Sequence, residues 1–169
     1  MHTFGHACRI DEIAAICKNW NLILIEDPAE YLRSTYKDQM LGTFGNIAAF
    51  SLNGNKTITA GGGGMIIAKD KNLLQRAKHI AKIPHPYEFT HDEIGYNFRM
   101  LNLNATLGCA QLEQMERYLK SKRNVALNYK VFFENRPEIF INEIKDENSN
   151  FWLNRLPESL CRVRKKLCL

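Results

Sequence analysis

Long apolar runs are missing from this chain. Nothing in its 169 residues approaches the roughly 20 consecutive apolar residues that cross a bilayer. The N-terminus also lacks a charged-then-apolar signal pattern. A cytoplasmic protein with no membrane association is the default expectation. Cysteine is sparse and unpatterned: Cys8, Cys17, Cys109, Cys161 and Cys168 form an odd set without C-x-x-C spacing. Free buried thiols in a reducing compartment are expected, with Cys17 and Cys109 on apolar helix faces. The five histidines (His2, His6, His79, His85 and His91) show no H-E-x-x-H pattern, so no metal site is expected. Internal repeats and low-complexity segments are absent as well.

The chain also lacks a basic surface stripe, despite a net charge of +5. Residues 155–169 hold Arg155, Arg162, Arg164, Lys165 and Lys166 against Glu158 alone, which is +4 and leaves the rest near +1. Charge confined to a tail, without aromatic or groove-reading context, argues against nucleic acid as a partner. What is present is ordinary globular composition, 45% hydrophobic and 24% charged. That is enough for one domain with a real core.

Apolar spacing predicts a helix over Asp11 to Trp20, with Asp11 as its N-cap. Leu22 to Ile25 reads as a strand buried on both faces. Ile47 to Phe50 and Met65 to Ala68 read as two further strands. Lys71 to Ile83 reads as a helix that ends at Pro84-His85-Pro86. Residues 84–101 form a long irregular segment of the kind that is often functional. Leu103 to about Phe133 is the longest helical pattern, with Gly108 as a close-packing position and a break near Ser121. Ile139 to Ile144 is a last candidate strand. Alternating strands and helices give an α/β fold.

Lys56 is the most informative residue. It stands in Phe50-Ser51-Leu52-Asn53-Gly54-Asn55-Lys56, followed closely by Gly61 to Gly64. A crowded lysine amine is a nucleophile that forms a Schiff base with an aldehyde. Pyridoxal phosphate (PLP) chemistry needs such a lysine, a carboxylate on the pyridine nitrogen, and donors for the phosphate. Asp27, closing a strand-like run, fits the carboxylate. Ser51 fits the phosphate donor, and Asn53 either bonds phosphate or shapes the turn. Each has a plainer reading: a solvated loop lysine, a carboxylate after a strand, a turn hydroxyl bonding its own backbone. The order strand-Asp, strand-Ser, turn-Lys, glycine run is more specific than any member. The glycines themselves fit neither G-x-x-x-x-G-K-[ST] nor a dinucleotide fingerprint, because a strand follows them. They suit positive φ or a close backbone approach. A generic nucleotide-binding α/β protein is therefore a weak rival.

Several stretches carry a family resemblance. They are Ile25-Glu26-Asp27-Pro28-Ala29-Glu30, Gly42-Thr43-Phe44-Gly45, the Lys56 segment, Gly61 to Ile66, His91 to Met100, and Asn104 to Gly108 with Ala110-Gln111-Leu112. Over roughly residues 1–154 the chain resembles the DegT/StrS-type PLP-dependent sugar aminotransferases of the aspartate-aminotransferase fold type. The glycine run and Pro84 to Glu88 look most like the branch that makes UDP-4-amino-4,6-dideoxy-N-acetylhexosamines. The resemblance implies a mixed, mostly parallel sheet flanked by helices. Residues 1–135 would be part of a PLP-binding large domain, 136–154 the start of a small domain, and 155–169 a non-homologous basic tail, with the chain truncated at both ends.

The resemblance also implies roles. Lys56 would be the Schiff-base lysine, Asp27 the partner of the pyridine nitrogen, and Glu30 a side chain beside the ring. Ser51 would bond the phosphate. Asn97 would reach the phosphate of a neighbouring subunit in a homodimer. Glutamate would give its amino group to the C4 ketone of a nucleotide-linked 4-keto-6-deoxy sugar. The rival in another class is a non-catalytic remnant serving for binding or oligomerisation. Two departures stand near the site. Pro28 replaces the usual alanine, and Arg33 replaces the glycine usual after Leu32.

Overall fold

The computed structural model describes residues 1–3, 6–82, 91–135 and 147–153. The Pro84-His85-Pro86 break, the Ile139 to Ile144 strand, Cys161, Cys168 and the basic tail lie outside them. The described elements run α1 (Ile10–Asn19), β1 (Ile25–Glu26), β2 (Thr35–Tyr36), β3 (Gln39–Met40), β4 (Ile47–Ser51), β5 (Gly64–Ala68), α2 (Lys71–Ile80), α3 (Asn102–Glu113), α4 (Met115–Phe132) and β6 (Glu147–Asn148). This is the expected α/β architecture.

The main sheet has the order β1-β4-β5. β1 lies parallel to β4, with Ile25 opposite Ile47. β5 then returns antiparallel to β4, pairing Phe50 with Met65 and Ser51 with Gly64. The sheet is mixed: one described pair is parallel and one antiparallel. A second, antiparallel sheet has the order β3-β2-β6. Lys37 and Asp38 both take positive φ (47° and 61°), which suits the two-residue turn joining β2 to β3.

Two apolar clusters position the site. Ala7, Ile10, Tyr31, Tyr36 and Leu41 form one, beneath the turn that follows β1. Leu52, Ile58, Ala60, Met115 and Leu119 form the other, between the Lys56 loop and α4. Each fully buried side chain of this size contributes about 1.5–3 kcal/mol, so the second cluster anchors the Lys56 loop firmly.

Four local expectations are corrected. The residue that caps α1 is Arg9, with no side-chain cap bond. Asp11 instead accepts a hydrogen bond from Lys37 Nζ at 2.5 Å. Leu22, Ile23 and Ile25 are exposed (58%, 75% and 67%), not buried on both faces. Among the described residues β1 pairs only with β4 and so forms a sheet edge. The long helical pattern breaks at Gln114, between α3 and α4, and not near Ser121. Cys109 is exposed, while Cys8 and Cys17 are half-buried. Cys109 shares α3 with Leu103 and Leu107, which are exposed too. Gly108 is the buried residue of α3, and a Cβ there would meet Leu52 and Ala60 at 3.5 and 3.7 Å. That is the close approach its sequence position implied.

Candidate active site

Parallel strands bring their C-terminal ends to one edge, where open α/β sheets bind ligands. Here β1 delivers Asp27 and Glu30 to that edge, and β4 delivers Ser51 and the loop carrying Lys56. Asp27 is half-buried, and its Oδ1 accepts from the Ala29 amide at 3.2 Å. Ser51 Oγ accepts from the Asn53 amide at 3.3 Å, the turn-shaping bond of its plainer reading. Asn53 is exposed, and its carbonyl closes the turn to the Lys56 amide at 3.0 Å.

The loop is fixed at its base. The Leu52 amide donates to Gly63 O, and Leu52 O accepts from the Ala60 amide, both at 2.9 Å. Asn104 Nδ2 donates to Ala60 O at 2.5 Å. Gly61 and Gly63 have φ of +78° and +81°, a region that L side chains disfavour. At Gly64 an added Cβ would stand 2.2 Å from Phe50 O. The glycine run therefore turns the chain back so that β5 can pair with β4. This accounts for the glycines without a phosphate cradle.

Lys56 is not a solvated loop lysine. Its side chain is 12% exposed, and Nζ lies 3.8 Å from Glu30 Oε1. The Trp152 ring centroid is 4.2 Å from Nζ. Trp152 Nε1 donates to the Asn55 carbonyl at 2.6 Å. The predicted pair Lys56 and Glu30 is thus brought into contact, and Asp27 and Ser51 share its sheet edge. Asn97 stands elsewhere: it is exposed and bridges Lys82 just past the end of α2.

Sequence reasoning missed Trp152, Asn150, Glu26 and His2. The first two come from a stretch far along the chain, within Ser149 to Asn154. Only proximity in the fold reveals their part. Glu26 is 2% exposed and accepts from the Gly42 and Gly45 amides at 2.8 and 2.5 Å. His2 Nε2 lies 3.5 Å from it, and His2 Nδ1 accepts from the Cys8 amide at 3.3 Å. Burial pushes the Glu26 carboxyl up; the hydrogen bonds from His2, Gly45 and Gly42 outweigh it and hold the group below its ordinary value. Burial pushes the Cys8 thiol up, which makes it a poor nucleophile.

His2 and His6 stand four apart in sequence, but they belong to no helix, and His6 instead bridges Thr3. His79, Asp92 and Glu93 do converge, with ligand atoms within 4.8 Å of one another. Arg76 forks onto Glu93, and His79 Nε2 lies 3.1 Å from both Asp92 oxygens. That is an ion-pair cluster fastening residues 92–93 to α2. No described helix is long and apolar enough to cross a membrane.

The donor set suits PLP. A shielded amine, a carboxylate at a strand end, a hydroxyl and a second carboxylate stand along one sheet edge. Comparison with known proteins agrees. Residues 1–167 match the DegT/DnrJ/EryC1/StrS aminotransferase family, past Asn154, where the resemblance read from sequence ended. The chain is 38% identical over 169 residues to the GDP-perosamine synthase of Escherichia coli O157:H7, covering 99% of this chain and 46% of that protein. It is 35% identical over 159 residues to the Bacillus subtilis (strain 168) protein named "Putative pyridoxal phosphate-dependent aminotransferase EpsN", covering 92% and 41%. Its fold matches the crystal structure of TlmJ, an aminotransferase from Streptoalloteichus hindustanus, with TM-score 0.86 at 22% identity, covering 98% of this chain and 47% of that one. The chain spans about half the length of these relatives. A family match over residues 1–167 and a 38% identical relative aligned along nearly the whole chain establish that it belongs to the DegT/DnrJ/EryC1/StrS aminotransferase family.

Proposed function

We propose that this chain is part of a PLP-dependent sugar aminotransferase, with residues 1–135 in its large domain and 136–154 opening a second. The reaction moves an amino group from glutamate to the C4 ketone of a nucleotide-linked 4-keto-6-deoxy sugar. Nitrogen passes one way and oxygen the other, so the products are 2-oxoglutarate and a 4-amino sugar for surface polysaccharide. The observation that carries this is Lys56 Nζ, shielded beside Glu30 and Trp152 at the C-terminal edge of two parallel strands.

PLP, when bound, supplies the aldehyde that takes up the amino group and a ring that stabilises negative charge on carbon. Lys56 would hold that aldehyde and, once freed, would carry the proton between carbon centres. Asp27 would pair with the ring nitrogen and keep it protonated, and Glu30 would stand beside the ring. Ser51 and Asn53 offer a hydroxyl and an amide to the phosphate. Asn97 serves the site of a neighbouring subunit. The exposed Ile94, Phe98, Leu101 and Leu103 (92%, 75%, 72% and 86%) leave apolar side chains that a second copy in a homodimer would cover. A soluble sugar nucleotide and free glutamate as substrates fit a cytoplasmic location.

The nucleotide has two readings. The glycine run and Pro84 to Glu88 favour a UDP-linked acetamido sugar. The 38% identity to a GDP-perosamine synthase favours a GDP-linked one. Purified protein given PLP, glutamate and either 4-keto-6-deoxy sugar nucleotide decides. Mass spectrometry of a 4-amino product from one of them identifies the substrate. No product, together with no PLP adduct on Lys56, would instead support the non-catalytic remnant.

A further inference from the structure

The segment Ser149–Trp152 grips the lysine loop at three consecutive residues, and beyond the shielding of Lys56 by Trp152 no role above is given to it. Trp152 Nε1 donates to Asn55 O at 2.6 Å. The Trp152 ring covers Lys56 Nζ at 4.2 Å. Asn150 Nδ2 lies 3.4 Å from Thr57 Oγ1. The same amide donates to Glu30 O at 2.9 Å and Leu32 O at 3.1 Å. One side chain thus ties the loop of Glu30 to the loop of Lys56.

Asn150 is itself locked. It is 0% exposed, its amide donates to Ser34 Oγ at 2.9 Å, and its Oδ1 accepts from the Trp152 amide at 2.9 Å. Behind the segment, α4 holds it through Lys122 Nζ to Trp152 O at 3.4 Å and Arg123 Nε to Ser149 O at 3.2 Å. Just before it, β6 pairs with β2. The indole is therefore fixed by its N–H, its backbone and its neighbours before any ligand arrives.

We propose that Trp152 is a positioning residue for Lys56, and that Asn150 sets Trp152. This rests on the reading of Lys56 as the carbonyl-binding lysine. A lysine side chain has four rotatable bonds and no preferred direction in a loop. The indole face attracts the ammonium electrostatically and removes water from one side of it. The N–H bond to Asn55 ties that face to the residue just before the lysine. The side chain is thereby held near Glu30 with its ordering cost met in the fold, and once the ammonium has given a proton to solvent the neutral amine attacks a carbonyl carbon from that fixed position.

The test uses the full chain, PLP and borohydride. Lys56 nitrogen joins the aldehyde carbon with loss of water. Borohydride then supplies the hydride, and solvent the proton, that reduce the C=N bond to a stable amine. Peptide mass mapping follows Lys56 against the exposed Lys71 as an internal reference. Wild type is expected to label faster at Lys56 than at Lys71. W152A is expected to slow Lys56 by about ten-fold, through lost preorganisation of its side chain. W152F keeps a ring, loses the bond to Asn55, and falls between.

If wild type does not prefer Lys56, the reading of that lysine fails. If wild type prefers it and both variants label equally fast, that reading stands and the role of Trp152 is overturned. Should W152A not fold, W152F alone decides. A second readout does not depend on rate. In a W20F background Trp152 is the sole tryptophan, because the chain has two. A pyridoxyl group fixed on Lys56 is expected to quench its emission strongly. Full labelling without quenching would overturn the contact.

Discussion

Glu26 and Asp27 are adjacent carboxylates with opposite surroundings. Successive side chains along a strand point to opposite faces. Glu26 turns inward, is 2% exposed, and takes the Gly42 and Gly45 amides and His2. Asp27, at the end of β1, stays half-buried at the sheet edge beside the lysine loop. One charge closes the turn over residues 42–45 onto β1, and its neighbour accepts, among the described residues, only the local Ala29 amide.

Glu26 makes stability depend on acid. Its carboxyl is held below the ordinary value, with burial opposing and the bonds from His2, Gly45 and Gly42 prevailing. A lowered folded-state value means stability that is fully present above the unfolded-state value. It is lost as pH falls through the folded one. Urea midpoints should therefore be level near neutrality and decline below about pH 4.5. E26Q should lose about 2–3 kcal/mol at pH 7, because buried backbone amides lose a charged acceptor. It should also show a shallower acid decline. Asp11, lowered chiefly by its hydrogen bond from Lys37, keeps part of that decline in the variant. An equally steep decline in E26Q would contradict the assignment.

Arg33 stands where a tight bend requires φ of +67°. Its guanidinium contacts Glu116 on α4, an exposed pair of the kind worth about 0–1 kcal/mol. Left-handed backbone costs an L-residue about 1–2 kcal/mol, and glycine avoids that at an entropic loss of about 0.5–1 kcal/mol. R33G is expected to change stability by less than about 1 kcal/mol and, at high salt, to raise it. Thermal melts at low and high salt check this. A drop of several degrees at high salt would show that the ion pair outweighs the strain.

Gly64 has no room to change. A Cβ would stand 2.2 Å from the carbonyl oxygen of Phe50 in the facing strand, and backbone cannot yield as a flexible side chain does. G64A should cost about 3 kcal/mol or more by parting β4 from β5. Gly62, with open space around it, serves as the control: G62A should cost about 1 kcal/mol at most. Denaturant unfolding of both variants measures the difference, and equal losses would contradict the pairing.

These contrasts show what sequence makes legible. The strands around Ile47 and Ile66 and the helices were readable because apolar spacing and glycines mark them locally. The contact of Lys56 with Glu30 was legible as a shared sheet edge, because the order strand-Asp, strand-Ser, turn-Lys sets which loops leave that edge together. Burial of Leu22 to Ile25 was misread, because a run of four apolar residues does not say whether a neighbouring strand lies on each side. Asp11 was misread as a cap because α1 begins at Ile10 and places Asp11 inside its first turn, where its carboxylate meets Lys37. Trp152 and Asn150 were invisible as site residues. Their partners at 30, 32, 34, 55, 56 and 57 meet them only after the chain has passed through α2, α3 and α4.

Covalent capture at Lys56 tests the central claim most directly. Purified protein is treated with PLP and borohydride, digested, and mapped by mass spectrometry, with K56A alongside. A pyridoxyl group fixed preferentially on Lys56 in wild type, with no preferred site in K56A, is the predicted result. Labelling spread over exposed lysines, and unchanged in K56A, would contradict the assignment of Lys56 as the carbonyl-binding residue.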